Sequence, residues 1–205
     1  SNTHSETSSC LTLDSAISAT GGINAAFYLP STLNLQSISE LNIRFKRTNA
    51  ASWYDDDFTD AELSLYIYPN WLTSEIVYLS AYSRPYERSG GNAQTLVINY
   101  RLNSSNPIHI RWLETSTVVR TGNLTVDSYF TSSEMDGTDS ITTKIVTSGT
   151  GTTITVYGAN GTTVRQHGTF SNMANCWTNN RSTTNNIILF HYHNYQSNKP
   201  EVLCD

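Results

Sequence analysis

The sequence predicts an all-β protein, a two-sheet antiparallel sandwich or β-jelly roll. Three observations carry this. Twelve Tyr and four Trp stand among abundant Thr, Ser and Asn, a composition that favours a pleated, half-buried surface. Segments alternate apolar and polar residues with the two-residue period of a strand, at intervals of roughly 8–15 residues with turn signals between them. Helical periodicity never exceeds a turn or two, Ser15–Ala19 being the weak exception.

The elements follow in order. Leu41-Asn42-Ile43-Arg44-Phe45-Lys46 and Glu62–Tyr68 alternate cleanly, as strands with one buried face do. Glu75–Tyr82, Gln94–Leu102 and Ile108–Leu113 continue the pattern. Thr142–Val146 and Thr152–Tyr157 form a predicted hairpin about Ser148-Gly149-Thr150-Gly151. Ala159-Asn160-Gly161 supplies the positive φ values of a tight turn and leads into Thr163–Phe170. The last strong strand is Ile187–Tyr195. No repeat or linker divides the chain, so residues 1–205 are expected to form one domain.

Charge and composition exclude several classes of function. A net charge of −5 with no basic run argues against sequence-independent nucleic-acid binding. No stretch approaches the roughly 18 apolar residues of a bilayer span, so no membrane partner is expected. Ser1–Ser9 has no apolar core of a signal peptide. Low charge and many hydroxyl side chains still fit a secreted, extracellular protein, expected to be a monomer without a cofactor. Cys10, Cys176 and Cys204 lack C-x-x-C spacing, and one disulfide with one cysteine left over is expected, in any of three pairings. Sequons at Asn103, Asn123, Asn160 and Asn180 are no more than this composition yields by chance. The run Asp55-Asp56-Asp57, with Asp60 and Glu62, lacks EF-hand spacing and reads as a solvated loop rather than a Ca²⁺ site.

Chemistry is expected on the strand faces. In Ile187–Tyr195, Leu189, His191, His193 and Tyr195 share one face, while Ile188, Phe190 and Tyr192 share the other. Two imidazoles and a phenol buried without partners are costly, so that row is expected to face water and a cleft. A metal reading of the two histidines lacks a neighbouring carboxylate in sequence. In Pro107–Trp112, Ile108, Ile110 and Trp112 point one way and His109 and Arg111 the other. Arg84 and Arg88 flank Tyr86 in a third polar segment.

In order and content these segments resemble the alginate lyase superfamily, polysaccharide lyases built as concanavalin-like jelly rolls. Arg84-Pro85-Tyr86-Glu87-Arg88 matches both arginines of that family's first motif, with Tyr86 in place of an acid. His109-Ile110-Arg111 falls where the family has Gln-Ile-His, an alternative alignment using Trp112-Leu113-Glu114. Leu189–Gln196 matches the C-terminal motif, with Tyr195 at the catalytic tyrosine and His191 at a lysine. The likeness spans roughly Leu79–Gln196, with identity at Arg84, Arg88, Phe190 and Tyr195 and loss of the family's Gln and His.

The resemblance implies cleavage of a uronic-acid polysaccharide, such as alginate or glucuronan, by β-elimination. Such a reaction needs a cation on the carboxylate, a base for the adjacent C–H proton and an acid for the leaving oxygen. Arg111 and Arg84 suit the first task, His109 the second and Tyr195 the third, with Arg88, His191, His193 and Tyr86 binding the acidic polysaccharide. The alternative is a non-catalytic carbohydrate-binding module or lectin on the same fold, using aromatic faces such as Trp53, Tyr54, Trp71, Tyr82 and Tyr86. A glycoside hydrolase would need two carboxylates facing across the cleft, for which Glu87 and Glu114 are poor candidates.

Overall fold

Alternation along the strands turns into two apolar faces that meet. The computed structural model describes residues 2–7, 10–15, 21–28, 40–47, 63–68, 94–100, 106–114, 117–135, 139–149, 151–171, 187–194 and 202–204. In chain order the elements are β1 (Asn2–Thr7), β2 (Cys10–Ser15), β3 (Gly21–Tyr28), β4 (Glu40–Arg47), β5 (Leu63–Tyr68), β6 (Gln94–Tyr100), β7 (His109–Glu114), β8 (Thr117–Asn123) and β9 (Thr125–Val126). After the single-turn helix α1 (Ser132–Met135) come β10 (Ile141–Ser148), β11 (Gly151–Tyr157), β12 (Val164–Ser171), β13 (Ile187–Asn194) and β14 (Val202–Cys204).

Among the described residues the strands form two antiparallel sheets. The larger runs β1-β2-β14-β4-β10-β11-β12-β9 and the smaller β3-β13-β5-β6-β7-β8. The expected jelly-roll sandwich is what the chain adopts. The predicted hairpin is β10–β11, in register from Thr142–Tyr157 to Ser148–Gly151, with Gly149 at φ 58° in the turn. C-terminal β14 inserts between β2 and β4, with Cys204 opposite Leu11.

The core lies between Ile43, Phe45, Ile145, Ile154 and Val156 of one sheet and Leu96, Ile98, Ile110 and Trp112 of the other, all buried. Phe45 packs edge-on to Tyr100, with centroids 5.2 Å apart and planes at 78°. The Tyr100 hydroxyl crosses to Thr143 Oγ1 at 2.5 Å, so both buried hydroxyls are satisfied.

At one edge the sheets are stitched together. A Cβ on Gly122 of β8 would come within 2.7 Å of the Phe170 ring of β12, so a residue without one lets that ring close the sandwich. Next to it, the buried Gln166 side chain accepts from the Ile108 backbone N at 2.8 Å and donates to the Asn106 carbonyl at 3.2 Å. Gln166 thereby anchors the chain at Ile108, one residue before β7 begins at His109.

A β-bulge supplies the last fixture. Val156 pairs with Gln166 but Tyr157 pairs with Val164, leaving Arg165 as the extra residue. Bulges re-aim side chains, and Arg165 bonds Glu134 of α1, while its carbonyl accepts from the Asp127 and Ser128 amides at 2.9 and 3.1 Å.

Candidate functional site on the six-stranded sheet

Directly opposed residues of an antiparallel pair share a face, and here the register assembles a polar line. Asn24, His191, Ser64, Asn99, His109 and Asn123 stand opposite one another across β3, β13, β5, β6, β7 and β8. Six strands spaced about 4.8 Å apart make this line about 24 Å long. Two residues along the strands lies the parallel line Ala26, Leu189, Tyr66, Val97, Arg111 and Thr121. Between them in register stand Ala25, Phe190, Leu65, Ile98, Ile110 and Gly122, of which Ile98 and Ile110 are buried.

The face assignments expected for Pro107–Trp112 hold: Ile108, Ile110 and Trp112 are at most 2% exposed, whereas His109 and Arg111 are half-buried. His191 and His193 sit on β13, His193 opposite Gly22. The register brings His109 and Arg111 together on β7 but separates them from β13 by β5 and β6, about 14 Å from His109 to His191. Tyr195, Arg84, Tyr86 and Arg88 lie outside the described residues, as do Trp53, Tyr54, Trp71, Tyr82, the acidic run 55–60, the segment 75–82 and Cys176.

On the central strand β6, Val97 and Asn99 are 0% and 5% exposed, so both faces of the end of β6 are buried. Among the described side chains the polar face opens at β7 and β8, where Thr121 and Asn123 are exposed.

At that open end His109 is held through both ring nitrogens. Nδ1 lies 2.7 Å from Asn123 Oδ1 and Nε2 lies 2.9 Å from Thr121 Oγ1. A carbonyl oxygen only accepts, so Nδ1 carries the proton, and in the neutral ring Nε2 accepts from the Thr121 hydroxyl. Asn99, Thr121 and Asn123 escaped the sequence reading because only strand pairing places them beside His109. Among the described residues, no three His, Cys, Asp or Glu side chains gather into a metal-sized cluster.

No family model matches the sequence, and no curated protein matches it. Solved structures of similar shape include the CBM2 module of the evolved Dit of Lactobacillus casei BL23 phage J-1, at TM-score 0.48 and 10% identity, over 100% of this chain and 76% of that one. Winged bean acidic lectin complexed with methyl-α-D-galactose gives 0.46 and 11%, over 95% and 75%. Bacillus licheniformis β-glucanase gives 0.39 and 8%, over 95% and 67%. Likeness at this level carries no argument about activity or ligand, and the fold stands on its own strand pairing.

Proposed function

We propose that this protein is a secreted, monomeric carbohydrate-active sandwich that binds an acidic polysaccharide laid across the strands of its six-stranded sheet. The observation that carries this reading is the open end of the polar line, where His109, Thr121 and Asn123 stand together with Arg111 beside them on β7. Amide, hydroxyl and imidazole groups repeated at strand spacing suit a polymer whose hydroxyls also repeat, and Arg111 beside the line suits a uronate carboxylate. A carbohydrate-binding module, lectins and a glucanase among the structures of similar shape agree with a sugar ligand without adding weight to it.

The chemistry proposed on that face is β-elimination. Arg111, with Arg84, neutralises the uronate carboxylate and acidifies the neighbouring C–H, His109 takes the proton on Nε2, and Tyr195 protonates the departing oxygen. The electron pair of the C–H bond becomes the new C=C bond as the glycosidic C–O bond breaks, so one chain yields an unsaturated end and a free hydroxyl end. Tyr86, Arg88, His191 and His193 contact neighbouring sugar units in this reading.

A second reading, a lectin or binding module that does not cut, is favoured by two observations. Both His109 nitrogens are already bonded, and β5 and β6 stand between β7 and β13. Mixing the protein with alginate and glucuronan separates the two. A rise in ultraviolet absorbance that Y195F abolishes marks the lyase, binding without any rise marks the lectin, and no binding to either polymer overturns both.

A further inference from the structure

A second surface lies where the chain passes from one sheet to the other. After Asn123 the buried Leu124 crosses to β9, the edge strand of the larger sheet, and Val126, Asp127, Ser128 and Tyr129 line an open cavity of about 600 Å3. Tyr129 is 67% exposed, while the next residue, Phe130, is 4% exposed. The chain is therefore anchored by one ring and presents the other to solvent.

The scaffold beneath this loop is rigid. Asp127 N and Ser128 N both donate to the carbonyl of the bulge residue Arg165. Ser128 Oγ donates to the Val164 carbonyl at 2.7 Å and accepts from the Arg165 guanidinium at 3.2 Å. Asp127 Oδ2 meets His167 Nδ1 at 2.5 Å. A carboxylate holds about four acceptor sites, so this one keeps capacity for further donors.

We propose that Tyr129, Asp127 and the cavity between them form a second carbohydrate site, for a neutral pyranose, separate from the face proposed for acidic chains. An exposed aromatic ring matches the C–H face of a sugar, and a carboxylate beside it accepts from two vicinal hydroxyls. Asp127 sets the selection by repelling uronates and phosphates, which excludes acidic polymers and nucleic acid from this site. Because the loop is already braced by Arg165, binding orders little of the chain.

The test is a titration of the 15N-labelled full chain with neutral cello- and galacto-oligosaccharides, with glucuronan oligomers as the acidic comparison. The expected result is a set of amide shifts at Asp127, Ser128 and Tyr129 from a neutral sugar, with weak or no shifts there from the glucuronan oligomers. Y129A is expected to weaken neutral-sugar binding about tenfold, the loss of one stacking contact, whereas Y129F keeps it. D127N, which retains the shape but loses the charge, weakens neutral binding and narrows the discrimination against uronate. Neutral sugars that leave these three amides unmoved, a Y129A protein that binds as before, or shifts confined to β7 and β8 would each overturn the proposal. Failure of the acidic-chain reading leaves this result untouched, because its probes and residues differ.

Discussion

Glu134 and Arg165 form a two-pronged ion pair inside the protein, with Nε on Oε2 at 3.0 Å and a terminal guanidinium nitrogen on Oε1 at 3.1 Å. The Glu134 side chain is 2% exposed and that of Arg165 14%. The carboxylate also accepts from the backbone N of Thr131 at 2.9 Å and of Ala159 at 2.8 Å. One buried carboxylate thus ties α1, the turn after β11 and the bulge of β12 together. Removing one partner leaves the other charge buried alone, so E134A is expected to cost about 3–5 kcal/mol of stability in a denaturant titration. A loss below 1 kcal/mol would mean the pair is not buried in solution.

The same carboxylate sets an acid limit. Burial pushes the Glu134 carboxyl up, but the Arg165 side chain and the Ala159 and Thr131 amides outweigh it and hold it below its ordinary value of 4.5. A carboxyl lowered in the folded state adds stability that is fully present above the unfolded value and fades as pH falls through the folded one. Wild-type stability is therefore expected to drop below about pH 4.5, and E134Q, already destabilised, to lose less over that range. Parallel curves for the two proteins would remove Glu134 from the acid response.

Gly158 sits against this pair. A Cβ there would fall on Glu134 Oε1 and lie 2.8 Å from Arg165 Nε, whereas Gly161, at φ 71°, has open space around it. G158A is expected to cost about 1–3 kcal/mol by displacing the pair, and G161A only about 1 kcal/mol of left-handed backbone strain. Combining G158A with E134A in a double-mutant cycle gives less than the sum of the two losses if the pair is what the methyl disturbs.

Gln166 links the interior to the site. Q166L leaves Ile108 N and the Asn106 carbonyl without their partner, an expected loss of about 1–3 kcal/mol. Because these bonds anchor the chain one residue before His109, Q166L is also expected to broaden or move the His109 imidazole signals in an NMR spectrum. A stability loss with unchanged imidazole signals would confine Gln166 to a packing role.

Most of the larger strands were legible in the sequence because each buries one face and alternates accordingly. Leu41–Lys46 became β4 with Ile43 and Phe45 buried, and Ile187–Tyr195 became β13, Ile187–Asn194. β8 was illegible because Gly122 occupies a core position, where an alternation pattern calls for a large apolar residue. Leu96–Tyr100 is buried on both faces, a fact its sequence does not distinguish from a half-buried strand. α1 is one turn long, too short for any periodicity, and its importance rests on the single side chain of Glu134. For the site, the sequence placed His109 on the face of β7 opposite the buried Ile108, Ile110 and Trp112, and His191 on β13. That they stand in one line with Asn99 between them depends on pairing between strands distant in the chain, which local pattern does not encode.

Substitution along the line should act on binding before stability. H109A and R111A are each expected to weaken binding of a glucuronan oligomer about ten- to a hundredfold, the value of a charge-assisted or well-placed polar contact. The R111A protein should also lose most of the salt dependence of binding. Equal salt dependence in both proteins would place the carboxylate contact elsewhere.

The most direct measurement is a 15N–1H titration of the full chain with a glucuronan or alginate oligomer, following the amides of Asn99, His109, Arg111 and Asn123. Saturable shifts concentrated on these residues, and lost in the protein carrying both H109A and R111A, are the predicted result. Shifts scattered elsewhere, or none at concentrations where the sugar binds, would contradict a polysaccharide site on this face.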